Sequence, residues 1–133
     1  MLMLTLDLNQ ANTTSNFSDA KQGAWYYNSV ASAQQLGIVS GLADGSFGIS
    51  DRITRQEMVA MAYRAIQKAG ITLDETKASV AFNDAHNIAS YAKDAVTVMS
   101  QAGIINGVGN GKFDPIINIS LDYNHLLCLY EVI

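Results

Sequence analysis

The chain has 133 residues, a net charge of −4, 49% hydrophobic and 15% charged residues, a globular rather than disordered composition in a length that fits one compact domain or two small repeated units. The acidic balance, with no basic stripe, argues against general nucleic-acid binding. The single cysteine, Cys128, excludes an intrachain disulfide, and no apolar run approaches the roughly 20 residues of a membrane span.

The opening Met1-Leu2-Met3-Leu4-Thr5-Leu6-Asp7-Leu8 is too short for a signal peptide and lacks its basic end. Two placements follow, a cytosolic chain or a piece of a longer exported protein, and the repeats below favour the second. After Phe17-Ser18-Asp19-Ala20, Tyr26, Val30, Ala33 and Leu36 recur at i, i+4, i+7 and i+10 and predict an amphipathic helix. Gly37 falls where that helix would stop in a left-handed turn. The loop Gly41-Leu42-Ala43-Asp44-Gly45-Ser46-Phe47 requires positive φ at one or more positions, and its phenylalanine is expected to plug the loop onto the core. Thr54-Arg55-Gln56-Glu57 is a capping box, in which the hydroxyl meets a helix-start N–H and the glutamate reaches back. Met58, Ala62, Ala65 and Ala69 are expected to form the inner face of this second helix, which stops at Gly70. Residues 71–81 read as a linker.

The pattern then returns. Phe82-Asn83-Asp84-Ala85 repeats the first motif at an offset of 65 residues (17 to 82), and after one insertion the offset is 66. Val30 matches Val96, Gln35 matches Gln101, and Gly37-Ile38-Val39 matches Gly103-Ile104-Ile105. Gly41, Gly45 and Phe47 match Gly107, Gly111 and Phe113, and Ile53-Thr54 matches Ile119-Ser120. Ala92, Val96, Met99 and Ala102 predict the equivalent helix face. Each unit thus reads as helix, glycine loop, helix, and a unit of about 50 residues needs neighbours to bury its faces.

Phe-x-Asp, an aromatic at Trp25, Leu-Gly-Ile-Val-x-Gly, Asp-Gly-x-Phe and Ile-Thr-Arg-x-Glu at 53–57 together resemble an S-layer homology repeat. The resemblance covers residues 17–70 and 82–120, including the Asp114-Pro115 that typically follows the loop. It implies an all-α fold of tandem helix–loop–helix repeats packed around a pseudo-threefold helical bundle. The expected organisation is 1–16 as the tail of a preceding repeat plus linker, 17–70 as one repeat, 71–81 as linker, and 82–133 as a second repeat with an atypical C-terminal helix. The family's role implies non-catalytic anchoring of an extracellular protein at the bacterial cell surface. Its partner would be a secondary cell-wall polysaccharide, an anionic glycan often bearing pyruvate ketals, held in grooves between repeats. The second repeat departs from the pattern: Leu121 and Tyr123 stand where arginine and glutamate are expected, and neither Asp122 nor Asn124 offers an equivalent positive charge.

Arg55 carries the site expectation. The helix macrodipole disfavours a cation in a first turn by a few tenths to about 1 kcal/mol, so an anion there would complete the arrangement. Free helix-start N–H groups and a guanidinium fork suit a carboxylate; the alternative is an exposed Arg55 paired with Asp51 or Glu57. Thr54 and Glu57 are caps before they are ligand contacts, and Gln56 lies between them in the same motif. Trp25 offers a face for a sugar ring or is a partly buried core aromatic, and Tyr91 holds the same position in the second repeat. Asp44 and Gly45 could meet sugar hydroxyls, although plain turn chemistry explains them. Asp19 and Asp84 read as caps of local backbone.

Other chemistry is poorly supported. His86 and His125 share no ligand spacing, Cys128 lies on an apolar stretch, and with Gly45 as sixth residue of a calcium loop only Asp44 and Asp51 suit the ion. No cofactor or metal is implied. The competing class is a structural module for protein–protein assembly, in which copies form a homo-oligomer or exchange elements to complete the bundle.

Overall fold

The computed structural model describes residues 3 and 6–119. The expectations for Ser120, Leu121, Tyr123, His125 and Cys128 lie outside the described residues. The described elements are α1 (Tyr27–Gln35), β1 (Ile53–Thr54), α2 (Arg55–Lys68), a short 3-10 turn (Ala85–Asn87), α3 (Ser90–Gln101) and β2 (Asn118–Ile119). Among the described residues the regular structure is therefore mostly helical, with one two-residue strand pair. Contacts divide it into two compact units: residues 1–51 with 64–71, and residues 52–63 with 72–133.

In the first unit, α1 buries Tyr27, Val30, Ala31, Ser32 and Ala33. The expected face is turned slightly, since Tyr26 and Leu36 are half-buried and Tyr27 takes the inner position. Phe17, Ile38, Val39, Ala65 and Ile66 are buried in the same unit. Polar side chains of α1 fix the lead-in segment: Gln10 N–H donates to Ser32 Oγ at 2.9 Å, and Gln34 Oε1 accepts from Ser15 Oγ and Asn16 N–H, both at 3.0 Å. The buried Ser32 hydroxyl thereby gains a partner.

The helix stops follow the glycines. Gly37 has φ +71°, and Ile38 N–H reaches back to Ala33 O at 2.9 Å. Gly103 has φ +74°, and Ile104 N–H reaches Met99 O at 2.9 Å. This backward bond across a left-handed glycine satisfies carbonyls that the helix leaves open. Leu8 N–H donates to Met3 O at 2.8 Å across Asp7 at φ +54°.

In the second unit, α3 buries Ala92, Ala95, Val96, Met99 and Ser100; Ala102, expected on this face, is half-buried. Phe82, Ile88, Ile105 and Phe113 are also buried there. The inner face of α2 differs from expectation: Met58 and Ala69 are half-buried, while Val59, Ala60, Ala62, Ala65 and Ile66 are buried. The buried positions on α2 are thus wider than the single stripe its periodicity marks. In the linker, Lys77 N–H donates to Gln101 O and Thr76 N–H to Asp74 O, both at 2.9 Å.

Candidate functional site

Each glycine loop is tied down by an aspartate from the start of its own repeat. In the first unit, Asp19 accepts N–H bonds from Phe47 at 2.7 Å, Gly48 at 2.8 Å and Ile49 at 2.9 Å. In the second, Asp84 accepts from Phe113 and Asp114, both at 2.8 Å. These aspartates do cap backbone, but backbone 28 to 30 residues away rather than the local chain expected. The N–H of Ile49, then that of Phe47, holds the Asp19 carboxyl below its ordinary pKa. Burial pushes Asp84 up, and the N–H groups of Phe113 and Asp114 outweigh it, leaving that carboxyl below its ordinary value too.

The phenylalanines do plug the loops. Phe17 and Phe47 lie 5.6 Å apart by ring centroid, and Phe82 and Phe113 lie 5.6 Å apart. At Gly41 a Cβ would fall against the Phe17 ring and 2.7 Å from Ser46 O, so only glycine lets the loop backbone approach this closely. Asp44 takes the turn role: Oδ1 accepts from Ser46 N–H at 3.0 Å and Ser46 Oγ at 2.6 Å, and the Ser46 hydroxyl, then its amide, holds the carboxyl below its ordinary pKa. Gly45 is exposed beside it.

The Thr54–Glu57 capping box forms. Thr54 N–H donates to Glu57 Oε2 at 2.8 Å, Thr54 Oγ1 donates to the same oxygen at 2.6 Å, and Glu57 N–H points back to Thr54 Oγ1 at 3.4 Å. The next helix-start amides, expected to be free, are engaged. Arg55 N–H donates to Ile117 O and Gln56 N–H to Pro115 O, both at 3.0 Å. The end of the second-repeat loop lies across the start of α2 and fills those positions. β1 pairs antiparallel with β2 beside them, with Ile53 opposite Ile119 and Thr54 opposite Asn118. Gln56 Oε1 accepts from Ala89 N–H at 2.9 Å, which covers a donor at the start of α3, where Ala89 itself supplies no side-chain cap.

Arg55 is half-buried in this setting, and its described contacts are with neither Asp51 nor Glu57. Its Nη2 donates to Asn106 O at 2.7 Å, and its guanidinium carbon stands 5.1 Å from the centre of the Phe113 ring, a cation–π distance. Burial lowers its pKa, opposed by the charge of Asp114, and the group stays cationic at neutral pH. Nε is buried without a partner among the described residues. The second unit therefore holds one desolvated guanidinium beside an aromatic ring and a loop carbonyl.

The other expected residues fall elsewhere. Trp25 is 84% exposed, with Tyr26 against it, edge-on at 5.7 Å; the core alternative is thereby set aside. Tyr91 is half exposed on α3. Trp25, Asp44 and Gly45 belong to the first unit, and Thr54, Arg55, Gln56, Glu57 and Tyr91 to the second. Asn106 and Asp114 were missed by sequence reasoning; the glycine loop gave their place, but nothing local named their partner.

The S-layer homology domain matches residues 16–59 and 81–115. The chain belongs to the S-layer homology family. It is 34% identical over 116 residues to the exoglucanase XynX of Acetivibrio thermocellus, covering 86% of this chain and 10% of that protein. The amylopullulanase of Thermoanaerobacterium thermosulfurigenes is also 34% identical over 116 residues, covering 86% of this chain and 6% of that protein. The surface-layer 125 kDa protein of Lysinibacillus sphaericus is 31% identical over 99 residues, covering 73% of this chain and 8% of that protein. The chain thus spans a tenth or less of these curated relatives, and the aligned part is the S-layer homology region. No helix among the described residues is long and apolar enough to cross a membrane.

Proposed function

We propose that the chain is a non-catalytic anchoring module that holds an exported protein to an anionic secondary cell-wall polysaccharide, pyruvylated glycan being the ligand class. Residues 17–70 and 82–133 are the repeat units of this reading, and a pseudo-threefold bundle is its architecture. Family membership supports surface anchoring. The observation that carries the glycan reading is Arg55: a half-buried guanidinium with one nitrogen on Asn106 O and one face on Phe113 is fixed in orientation before any ligand arrives. A fixed fork loses less side-chain entropy on meeting a carboxylate than a free one. With the helix-start amides engaged by Pro115 and Ile117, the guanidinium rather than the helix end supplies the anion contact. Trp25, with an exposed indole, is the sugar-stacking candidate, and Tyr91 its counterpart.

Pull-down with purified pyruvylated wall polymer tests this. Arg55→Ala is expected to abolish retention while the helical circular dichroism signal persists. Unchanged retention by that variant would sink the site assignment. A second reading, self-association through uncovered apolar surface, draws on Ile116 at 67% exposure and on the exposed Val108 and Ile117; a light-scattering mass independent of concentration counts against it.

A further inference from the structure

The first helix of each repeat meets the segment before it differently. In the first unit the Tyr27 side chain crosses from α1 to the lead-in, where its Oη accepts Ser15 N–H at 3.1 Å, and it is 9% exposed. Val30, one turn further along the same helix, is buried. At the repeat offsets, Ser15, Tyr27 and Val30 correspond to Val80, Lys93 and Val96. In the second unit no ring makes this crossing: Lys93 is exposed, and Val80 N–H has no acceptor among the described residues. In its place is a groove of about 330 Å3 between the end of the linker and α3. Phe82, Ile88 and Val96 are the buried part of its lining, and Val80, His86 and Lys93 the exposed part. The lining holds no carboxylate, although the chain as a whole carries a net charge of −4.

We propose that this groove binds a tyrosine side chain carried on an acidic segment of a partner protein. The first unit specifies the ring: there the chain's own Tyr27 lies beside Val30 and takes the Ser15 amide, and the second unit offers the same apolar wall at Val96 with the same amide, Val80 N–H, open. A phenol suits both parts, since its ring covers apolar surface while its oxygen accepts the N–H. The rim specifies the charge. The Lys93 ammonium and the imidazole of His86 favour carboxylates on the residues flanking the ring, and no acidic group of the lining opposes them. The exchange of Tyr27 for Lys93 thus converts a position that closes one repeat into a position that opens the other. The groove does not involve Arg55, so this interface stands without the glycan reading.

The test adds the peptide acetyl-Glu-Tyr-Glu-amide to the full chain and follows backbone amide shifts by NMR. Saturable shifts are expected at Val80, Ile88, Lys93 and Val96. Acetyl-Glu-Phe-Glu-amide, which lacks the hydroxyl, should bind about fivefold more weakly. Lys93→Gln, which keeps the groove and removes the charge, should weaken binding by about two- to fivefold, as expected of an exposed ion pair. Lys93→Tyr supplies the chain's own ring, as in the first repeat, and should abolish the shifts while the helical circular dichroism signal persists. No shift at millimolar peptide overturns the proposal, as does undiminished binding by a folded Lys93→Tyr variant. Equal shifts with acetyl-Glu-Ala-Glu-amide would mean that the rim takes carboxylates without a ring, and overturn it too. Shifts at the groove produced by purified wall oligosaccharide and not by peptide assign it to glycan and overturn it. Shifts there that grow with concentration of the chain alone, and that peptide does not change, assign it to a second copy and overturn it as well.

Discussion

Asp84→Asn isolates the tie between the start of the second repeat and its glycine loop. The two carboxylate oxygens each accept one N–H, from Phe113 and Asp114, at 2.8 Å. An asparagine of the same shape keeps one acceptor oxygen and turns an NH2 toward the other amide. One charge-assisted bond is lost and a donor faces a donor, a destabilisation of about 1.5–3 kcal/mol, or roughly ten- to a hundredfold in the unfolding equilibrium. Urea denaturation followed by far-UV circular dichroism at pH 7 measures it as a lower midpoint at unchanged slope. The pH dependence gives a second readout. The folded-state pKa of Asp84 lies below its unfolded value, so its contribution is fully present above the unfolded pKa and is lost as pH falls through the folded one. The gap between wild type and variant should therefore hold from pH 7 down to about 5 and narrow below about 4. A midpoint within error of wild type at pH 7, or a gap that widens on acidification, refutes the assigned role.

Phe113→Ala empties a fully buried aromatic position and should destabilise by about 3–5 kcal/mol in the same assay. Thr54→Ala removes the hydroxyl of the capping box and should lower stability by about 1 kcal/mol. Gly41→Ala should cost clearly more than Gly37→Ala. Both have positive φ, but a Cβ at Gly37 meets nothing within 4 Å, whereas one at Gly41 runs into Phe17 and Ser46; thermal midpoints of the two variants decide it.

The signals read correctly from sequence were short-range ones. The stops at Gly37 and Gly103, the Thr54–Glu57 box and the Asp44 turn each involve groups within about one helical turn, where chain connectivity brings donor to acceptor whatever the rest of the molecule does. The inner face of α2 was placed only in part, because its periodicity marks one stripe while burial of Val59, Ala60 and Ile66 depends on what packs beside it.

Arg55 shows the division most clearly. Its residue type and its place in a first helical turn, from sequence alone, marked it as a cation held where the helix dipole opposes it, and the repeat placed it in its family. Only the tertiary structure decided that its Nη2 rests on Asn106 O, 51 residues away, and that the amides beside it are already taken by Pro115 and Ile117. Asp19 and Asp84, likewise recognisable as caps, found their amides across loops of about 30 residues. Residue chemistry is written in the chain; which distant carbonyl or amide satisfies it is set by packing of the repeats, because loop closure over such distances fixes no partner until the apolar core brings the ends together.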